Sequence, residues 1–551
     1  MHNPTAWFIS SERTRYIGGI ISLDGSFRVG LILFVFLVYS PSLRHSPRAD
    51  QWSYLVDTMH HPGLLDAIAS TYSYNRTRQT MPCDTDLFRP LVFVVLAAER
   101  SLLKGDQASI QGIGICLHCG VCLLLLSLMR KFELLSQSYK IPSPSLLPYV
   151  FTAFFAFNPA IQELVIWAHL QGYLLFLVFV LGSLRLLLHH LSGPSAGRLS
   201  SPTLLSAWAL VFLSAFTHEI GQIYAVFAGI FLANTIFIRS GIARAMAAFA
   251  VFASILPIYQ AVNVCDLEIH RGSYQPDNNR AMILDKMFTA ETLSHSARFV
   301  VFTAMQPFCP SSLESSFIEE RVCFEESVWH DVRAGNIGPG FICPALVVCS
   351  ILYLGMAGFR SLIGKDKRSV LLCFLIGGCL YGVYAGIIVL GRMNLKPNDS
   401  VLSANSYYTY TALSFGLLTA FSLCCGVRTS RNQNSTICWI VLYGGLIGLT
   451  LVGAIQIRFL NAELAEITKD VTTPIHAANS FIREHCDEPD FSLEIDHEQS
   501  DPIPLRQGRW VTEIVFARWI KPSPQYRITI RGDEVLILWH KPFTRHPGEK
   551  E

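Results

Sequence analysis

The sequence predicts an α-helical polytopic membrane protein, and three observations carry that reading. Hydrophobic residues fill 51% of the 551 positions and charged residues only 15%, giving a mean hydropathy of +0.38 that a water-soluble domain does not sustain. Apolar runs near the ~20 residues that a bilayer crossing requires recur along the whole chain. Lys and Arg collect in alternate connections between those runs, as the positive-inside rule demands. The net charge is only +2, from 43 Lys and Arg against 41 Asp and Glu, so the global balance offers nothing to nucleic acid.

Taken in order, residues 1–27 form a polar, basic N-terminal segment with Arg13 and Arg15, and Arg28 opens the first apolar run. The exit of that run, Tyr39-Ser-Pro-Ser-Leu-Arg44, lacks the small residues of a cleavage site, which predicts an uncleaved signal-anchor helix. The spans expected are 27–41, 109–129, 146–166, 170–190, 203–218, 221–238, 243–263, 341–360, 369–391, 405–426 and 436–457, about 11 in all. Two further apolar stretches, Leu87 to Leu103 and Ala297 to Phe308, are kept out, because counting either alone inverts every later loop.

Loop charge supports that choice. With the N-terminus inside, the inner connections carry Arg130, Lys131 and Lys140, then Arg185 and Arg198, then Arg239 and Arg244. They continue with Arg360, Lys365, Lys367 and Arg368, and with Arg428 and Arg431. The outer side then receives a long first loop, 40–106, a second large loop, 264–340, the short segment from Arg392 to Ala404, and the tail 458–551. Leu87 to Leu103 becomes a surface or re-entrant helix, which suits its internal Arg89, Glu99 and Arg100.

The domain reading is therefore a transmembrane domain over 28–457 followed by an extracytoplasmic tail. The tail reads as a helix, Asn461 to Glu484, and then as short alternating segments, Phe491 to Ile495, Trp510 to Phe516, Tyr526 to Ile530 and Val535 to Trp539. That pattern predicts a small β-rich outer domain. Of the 15 cysteines, Cys116, Cys119 and Cys122 recur every third residue inside an apolar helix, which reads as small residues lining one face. Cys309 and Cys323 share the second outer loop, where an oxidising compartment would permit a disulfide. No internal repeat is apparent.

Ionisable groups at membrane depth are costly, so those gathered at helix ends on one face are functional candidates. On the outer side these are Asp50 just beyond span 1, Glu163 between spans 3 and 4, His218-Glu219 between spans 5 and 6, and Arg392 at the end of span 9. Each also has a plain structural reading. Asp50 beside Arg48 fits a solvated loop pair. Glu163 with Trp167 fits an interfacial anchor, His218-Glu219 a helix cap, Arg392 a snorkelling end residue, and Arg89-Pro90 a helix entry.

Four segments in this order resemble the type-C glycosyltransferase superfamily, polytopic enzymes that use polyprenyl-phosphate-linked sugars. They are Ala49-Asp50-Gln-Trp-Ser-Tyr54 in a long first outer loop, Phe88-Arg89-Pro90-Leu91 opening a surface helix, Phe157-Asn-Pro159-Ala-Ile-Gln-Glu163-Leu-Val-Ile-Trp167, and Phe216-Thr-His218-Glu219. The last two are similar to segments of the protein O-mannosyltransferase-like branch, with Asn158 and His218 standing where His and Lys are expected. The likeness covers about residues 28 to 260, and Asn405-Ser-Tyr407-Tyr408 lacks the Arg often found before such a Tyr.

The resemblance implies an inverting transfer at the outer face, from a polyprenyl- or dolichyl-phosphate donor to a hydroxyl of a glycan, lipid or protein acceptor. Asp50 would be the base. Arg392 and Arg89 would hold the departing phosphate, with His218, Gln171 and Tyr408 as further substrate contacts. Glu163 and Glu219 would bind sugar hydroxyls or, with Asp50, a divalent metal. The expected location is a bacterial inner membrane, with the N-terminus cytoplasmic and the C-terminus outside. A lipid or glycan transporter and a non-catalytic scaffold are the competing readings.

Overall fold

The computed structural model describes residues 24–45, 89–103, 106–136, 145–167, 170–192, 201–218, 220–270, 289, 304, 306–308, 339–362, 377–386, 388, 406–427, 435–485, 493–496, 526–531 and 534–539. These residues form a helical membrane protein. Helix α1 covers 24–39 and closes in a 3-10 turn, Ser40–Arg44. There follow α2 (Pro90–Leu103), α3 (Gln107–Ser136), α4 (Leu147–Ala156), α5 (Gln162–Ile166), α6 (Gln171–Ser192) and α7 (Pro202–Thr217). After these come α8 (Ile220–Ser240), α9 (Ile242–Ala253), α10 (Ile255–His270), α11 (Pro339–Leu362), α12 over 377–386, α13 (Ser406–Val427) and α14 (Ser435–His485).

Among the described residues five helical segments are long and apolar enough to cross a membrane: Asp24–Arg44, Gln107–Leu134, Gln171–Leu191, Ile242–Val262 and Thr436–Ala462. A sixth is the bent pair Leu147–Ala156 and Pro159–Ile166. Pro202–Thr217, Ile220–Asn234 and Ala345–Ala357 are apolar but shorter. Large aliphatic side chains point outward on these helices: Leu33 of α1 is 66% exposed, and Ile437, Ile440 and Ile455 of α14 are 66–71% exposed. In water such a surface would drive aggregation, whereas lipid tails accept it without cost.

Helix α2 is 14 residues long, about 21 Å, and does not match a ~30 Å hydrocarbon core. It begins at Pro90, whose missing N–H suits a first helical position. It lies against α7, α3 and α6. Gly172 at the start of α6 permits this approach, since a Cβ there would fall 2.6 Å from Val92.

Span 3, expected as one helix over 146–166, is instead broken and bent by 54°. Pro159 is the cause, since it lacks an N–H and forces the preceding residue out of the helical region; Asn158 has φ −85° and ψ 120°. The Asn158 side chain caps the new turn by accepting from the Ala160 N–H at 3.1 Å. Its amide donates to the Pro307 carbonyl at 2.8 Å. Because Ala160 N–H is so engaged, the Ala156 carbonyl loses its usual i+4 donor, and His118 Nε2 approaches it at 3.1 Å instead. The Phe157 carbonyl meets α14 at Gly453, where a Cβ would fall 2.1 Å from the oxygen.

The helix ends sort into two sets. At one end, Asp24 pairs with Arg28 at 2.7 Å, Arg130 pairs with Glu133 at 2.7 Å and lies over the Tyr149 ring, and Arg185 donates to Ser127 at 2.8 Å. At the other, His45 Nε2 meets the Asn461 carbonyl at 2.7 Å, Gln162 donates to Asn461 Oδ1 at 2.5 Å, and Gln171 donates to the Ile110 carbonyl at 3.0 Å. Arg89 reaches His218 at this second end. The first set carries the basic residues assigned to inner loops, and the second carries the residues assigned to the outer face.

The core lies among α3, α4, α6 and α13, where Phe151, Phe154, Phe155, Phe176, Phe415 and Phe421 are fully buried. Helix α14 runs unbroken through Ser435–His485, joining the expected last span and the separate tail helix into one element. Beyond it, β1 (Leu493–Asp496) pairs in parallel with β2 (Tyr526–Arg531), and β2 pairs antiparallel with β3 (Glu534–Trp539), Ile528 opposite Ile537. The segment Trp510 to Phe516, Cys309 and Cys323 lie outside the described residues.

Candidate functional site

Of the residues singled out from the sequence, Asp50, Glu219 and Arg392 lie outside the described residues. Arg89, His218, Gln171, Tyr408 and Glu163 are described, and the structure brings the first two together. Helix α7 stops at Thr217 because His218 is extended, with φ −153° and ψ 141°. Its ring is buried and held by Tyr173, 4.7 Å away edge to face, and by Phe176 at 5.4 Å. The Arg89 guanidinium lies over the same Tyr173 ring, 5.5 Å from its centroid.

The imidazole is placed between two donors. Its Nδ1 lies 3.3 Å from the Ile220 N–H at the start of α8, and its Nε2 lies 3.3 Å from Arg89 Nη2. A neutral ring accepts at one nitrogen and donates from the other. If Nδ1 takes the backbone N–H, then Nε2–H faces the guanidinium donor to donor. In the other neutral tautomer Nε2 accepts from the Arg89 guanidinium instead.

Two buried tyrosines extend the site. Tyr408 at the start of α13 is 1% exposed, and Tyr384 of α12 shares an electrostatic neighbourhood with Arg89, Tyr173 and Tyr408. Beside His218 a narrow apolar gap is lined by Phe176, Val180, Ile220, Tyr224, Leu380 and Phe415, among others. Phe176 and Ile220 belong to both, so the gap adjoins the His218 ring.

Glu163 lies in α5 and Gln171 at the start of α6. Glu163 sits in the first turn of α5, where a carboxylate is favourable at a helix N-terminus. Its neighbour Gln162 enters the cluster with Asn461 and His45. Gln171 is 1% exposed and bonded to the Ile110 carbonyl.

The sequence reading missed Tyr173, Tyr384, Gln162 and Asn461. The last two are amides inside or beside apolar runs, a signal that was available, whereas Tyr173 looks like any aromatic residue of a span. It also missed His118. That ring accepts from the Tyr410 hydroxyl at Nδ1, 2.6 Å away, and donates from Nε2 to the Ala156 carbonyl, so both nitrogens are spent on packing.

Two acids outside the spans are perturbed. Burial pushes Glu99 of α2 up to about 8. Asp106 is held below its usual value, first by the Ser109 hydroxyl and then by the Ser109 N–H, as the N-terminal cap of α3. Among the described residues no three His, Cys, Asp or Glu side chains are grouped to hold a metal ion. Compared with known proteins, the chain matches no family model, no curated protein and no solved structure.

Proposed function

We propose that the protein is an integral-membrane glycosyltransferase that moves a sugar from a polyprenyl- or dolichyl-phosphate carrier to an acceptor hydroxyl at the outer membrane face. The observation that carries this reading is the Arg89–His218 pair. A guanidinium 3.3 Å from a buried imidazole, over an aromatic ring and next to an apolar gap, suits a phosphate group whose lipid chain lies in the membrane.

In the reaction the acceptor oxygen attacks the anomeric carbon, the carbon–oxygen bond to phosphate breaks, and the hydroxyl proton passes to the Asp50 carboxylate. Arg89, His218 and Arg392 take the charge that accumulates on the leaving phosphate. Glu163, Glu219, Gln171 and Tyr408 orient the sugar or, for the carboxylates, share a divalent cation with Asp50. The acceptor is a glycan, lipid or protein. The proposal places eleven spans in a bacterial inner membrane, with the N-terminus inside and the three strands in a small outer domain.

The test is release of polyprenyl phosphate by the full-length protein in lipid nanodiscs, with polyprenyl-phosphate mannose and glucose as donors and a panel of glycan, lipid and peptide acceptors. Release is expected from the wild type and is lost in Asp50→Asn at unchanged thermal stability. Near-normal release by Asp50→Asn removes that residue from the mechanism.

A second reading is a lipid or glycan transporter. The bend at Asn158–Pro159, with the buried amides of Asn158, Gln162 and Asn461 around it, is the observation that favours it, because broken helices lined by polar groups form transport sites. Movement of a lipid-linked sugar across vesicles without release of polyprenyl phosphate would select this reading.

A further inference from the structure

Helices α1, α3 and α6 bring Arg28, Arg130, Lys131 and Arg185 together with the carboxylates Asp24 and Glu133 at one end of the molecule. Both carboxylates are already engaged. Asp24 lies 2.7 Å from Arg28 and 4.0 Å from Arg130, and it accepts from the Tyr149 hydroxyl at 3.4 Å. Glu133 takes Arg130 at 2.7 Å and the Ser145 N–H at 3.1 Å. Lys131 and Arg185 are left over: neither pairs with a carboxylate among the described residues.

The surplus cations are held side by side. Ser127 and Lys131 are four residues apart and share a face of α3. Arg185 Nε donates to the Ser127 hydroxyl at 2.8 Å, which lays the guanidinium along that face and leaves its two terminal nitrogens without an acceptor among the described residues. Arg28 and Lys131 both lie close enough to Arg185 for like charges to oppose each other. Arg28 Nε is itself buried with no hydrogen-bond partner. Arg185 stands inside the span Gln171–Leu191, between Leu184 and Leu186-Leu187-Leu188, where an uncompensated cation is costly. Leading from Arg28 toward the other end of α1, Val29, Leu33 and Leu37 form an outward apolar ridge, each more than half exposed.

We infer that this patch is a binding site for an anionic phospholipid, whose phosphate accepts from the Arg185 fork and the Lys131 ammonium. A guanidinium presents two parallel donors to phosphate oxygens, and an ammonium adds a compact charge beside them. Basic pockets between helix ends at a membrane face take headgroups in this way. The shared chemistry is that of any phosphate, but the leucines around Arg185 and the ridge on α1 suit an anion that brings acyl chains of its own. The inference does not depend on sugar transfer: Arg185 lies twelve residues along α6 from Tyr173, about 18 Å from the Arg89–His218 pair's aromatic support.

The test is native mass spectrometry of the full-length protein in a neutral detergent, with phosphatidylglycerol and phosphatidylcholine of the same acyl chains as probes. Phosphatidylglycerol is expected to be retained in preference to phosphatidylcholine, and excess inorganic phosphate is expected not to displace it. Arg185→Gln and Lys131→Gln, checked for unchanged unfolding temperature, are each expected to weaken that retention about fivefold, the effect of one cation at a membrane surface. Lys131→Gln removes no salt bridge or hydrogen bond within the described protein, so it decides the matter where Arg185→Gln fails to fold. Arg244→Gln removes an exposed cation from α9, which packs on α8 and α10, and is expected to leave retention unchanged. Equal retention of the two lipids, wild-type retention by Lys131→Gln, or a loss in Arg244→Gln as large as in Lys131→Gln overturns the inference and leaves the cations reaching for headgroup water. Displacement by inorganic phosphate overturns the lipid and leaves a general anion site.

Discussion

Gly453→Ala is the perturbation whose outcome the geometry fixes most tightly. The added methyl carbon would lie 2.1 Å from the Phe157 oxygen and 3.0 Å from Pro159 Cδ. Ordinary contact begins near 3.4 Å, so α14 must retreat from the broken span by about 1.3 Å at that carbonyl. Neither neighbour can yield easily, one being backbone and the other a proline ring. Overfilling such a contact costs ~1–3 kcal/mol, and replacing a helical glycine returns ~0.5–1 kcal/mol, so the net loss runs up to about 2.5 kcal/mol. Gly448 on the same helix has nothing within 4 Å of its own Cβ position. Gly448→Ala therefore keeps only the favourable term, ~0.5–1 kcal/mol. Thermal unfolding in detergent can be followed by a thiol-reactive fluorophore, because Cys119, Cys122 and Cys424 are buried and unpaired by disulfides. Gly453→Ala is expected to unfold below the wild type and Gly448→Ala at or above it. A Gly453→Ala protein as stable as Gly448→Ala would refute the close crossing of α14 over the break.

Three further outcomes are expected. Arg89→Lys keeps the charge but loses the planar fork over Tyr173 and beside His218, so polyprenyl phosphate release should fall roughly 10²-fold at near-constant unfolding temperature; unchanged release would remove Arg89 from the phosphate site. Glu99 is raised from 4.5 to about 8, so between those values the folded protein holds a proton that the unfolded chain has released. Its contribution is then greatest below pH 4.5 and declines as pH rises to about 8, and Glu99→Gln should flatten that part of the stability profile measured by thermal unfolding. Tyr410→Phe leaves the buried His118 Nδ1 without its donor and should cost about 1–3 kcal/mol of stability in the same unfolding assay, whereas Tyr353→Phe, at a 40% exposed position, should cost almost nothing.

The parts of the fold legible in the sequence were those set by apolar length and by charge. Arg28, Arg130 and Arg185 gather at one end of the helices and His45, Arg89, Gln171 and His218 at the other, so the described ends separate as the expected spans would place them. The start of α2 at Pro90 and the stop of α7 before His218 fall at expected boundaries. The break in span 3 did not stand out, because Phe157-Asn158-Pro159 is short and its flanks are as apolar as any span. Proline gives the position of such a kink but not its angle, which here is set by Asn158, by Pro307 and by the approach of Gly453. Arg89 and His218 were each named from sequence, yet their meeting joins positions 129 residues apart, and no local pattern encodes it. The aromatic support from Tyr173 and Phe176 was hidden for another reason, since a residue that packs and a residue that shapes a site are the same letter in an apolar helix.

The bond from Asn158 to Pro307 ties two motions into one. Drawing the 306–308 turn away from the bend would strand a buried amide donor at ~1–3 kcal/mol, while straightening the bend would withdraw the donor from that turn. The 306–308 turn is held to the bend region twice, by this bond and by Phe308 stacked on Phe154 at 5.2 Å. Separating the two costs least where another oxygen replaces the Pro307 carbonyl at the Asn158 amide.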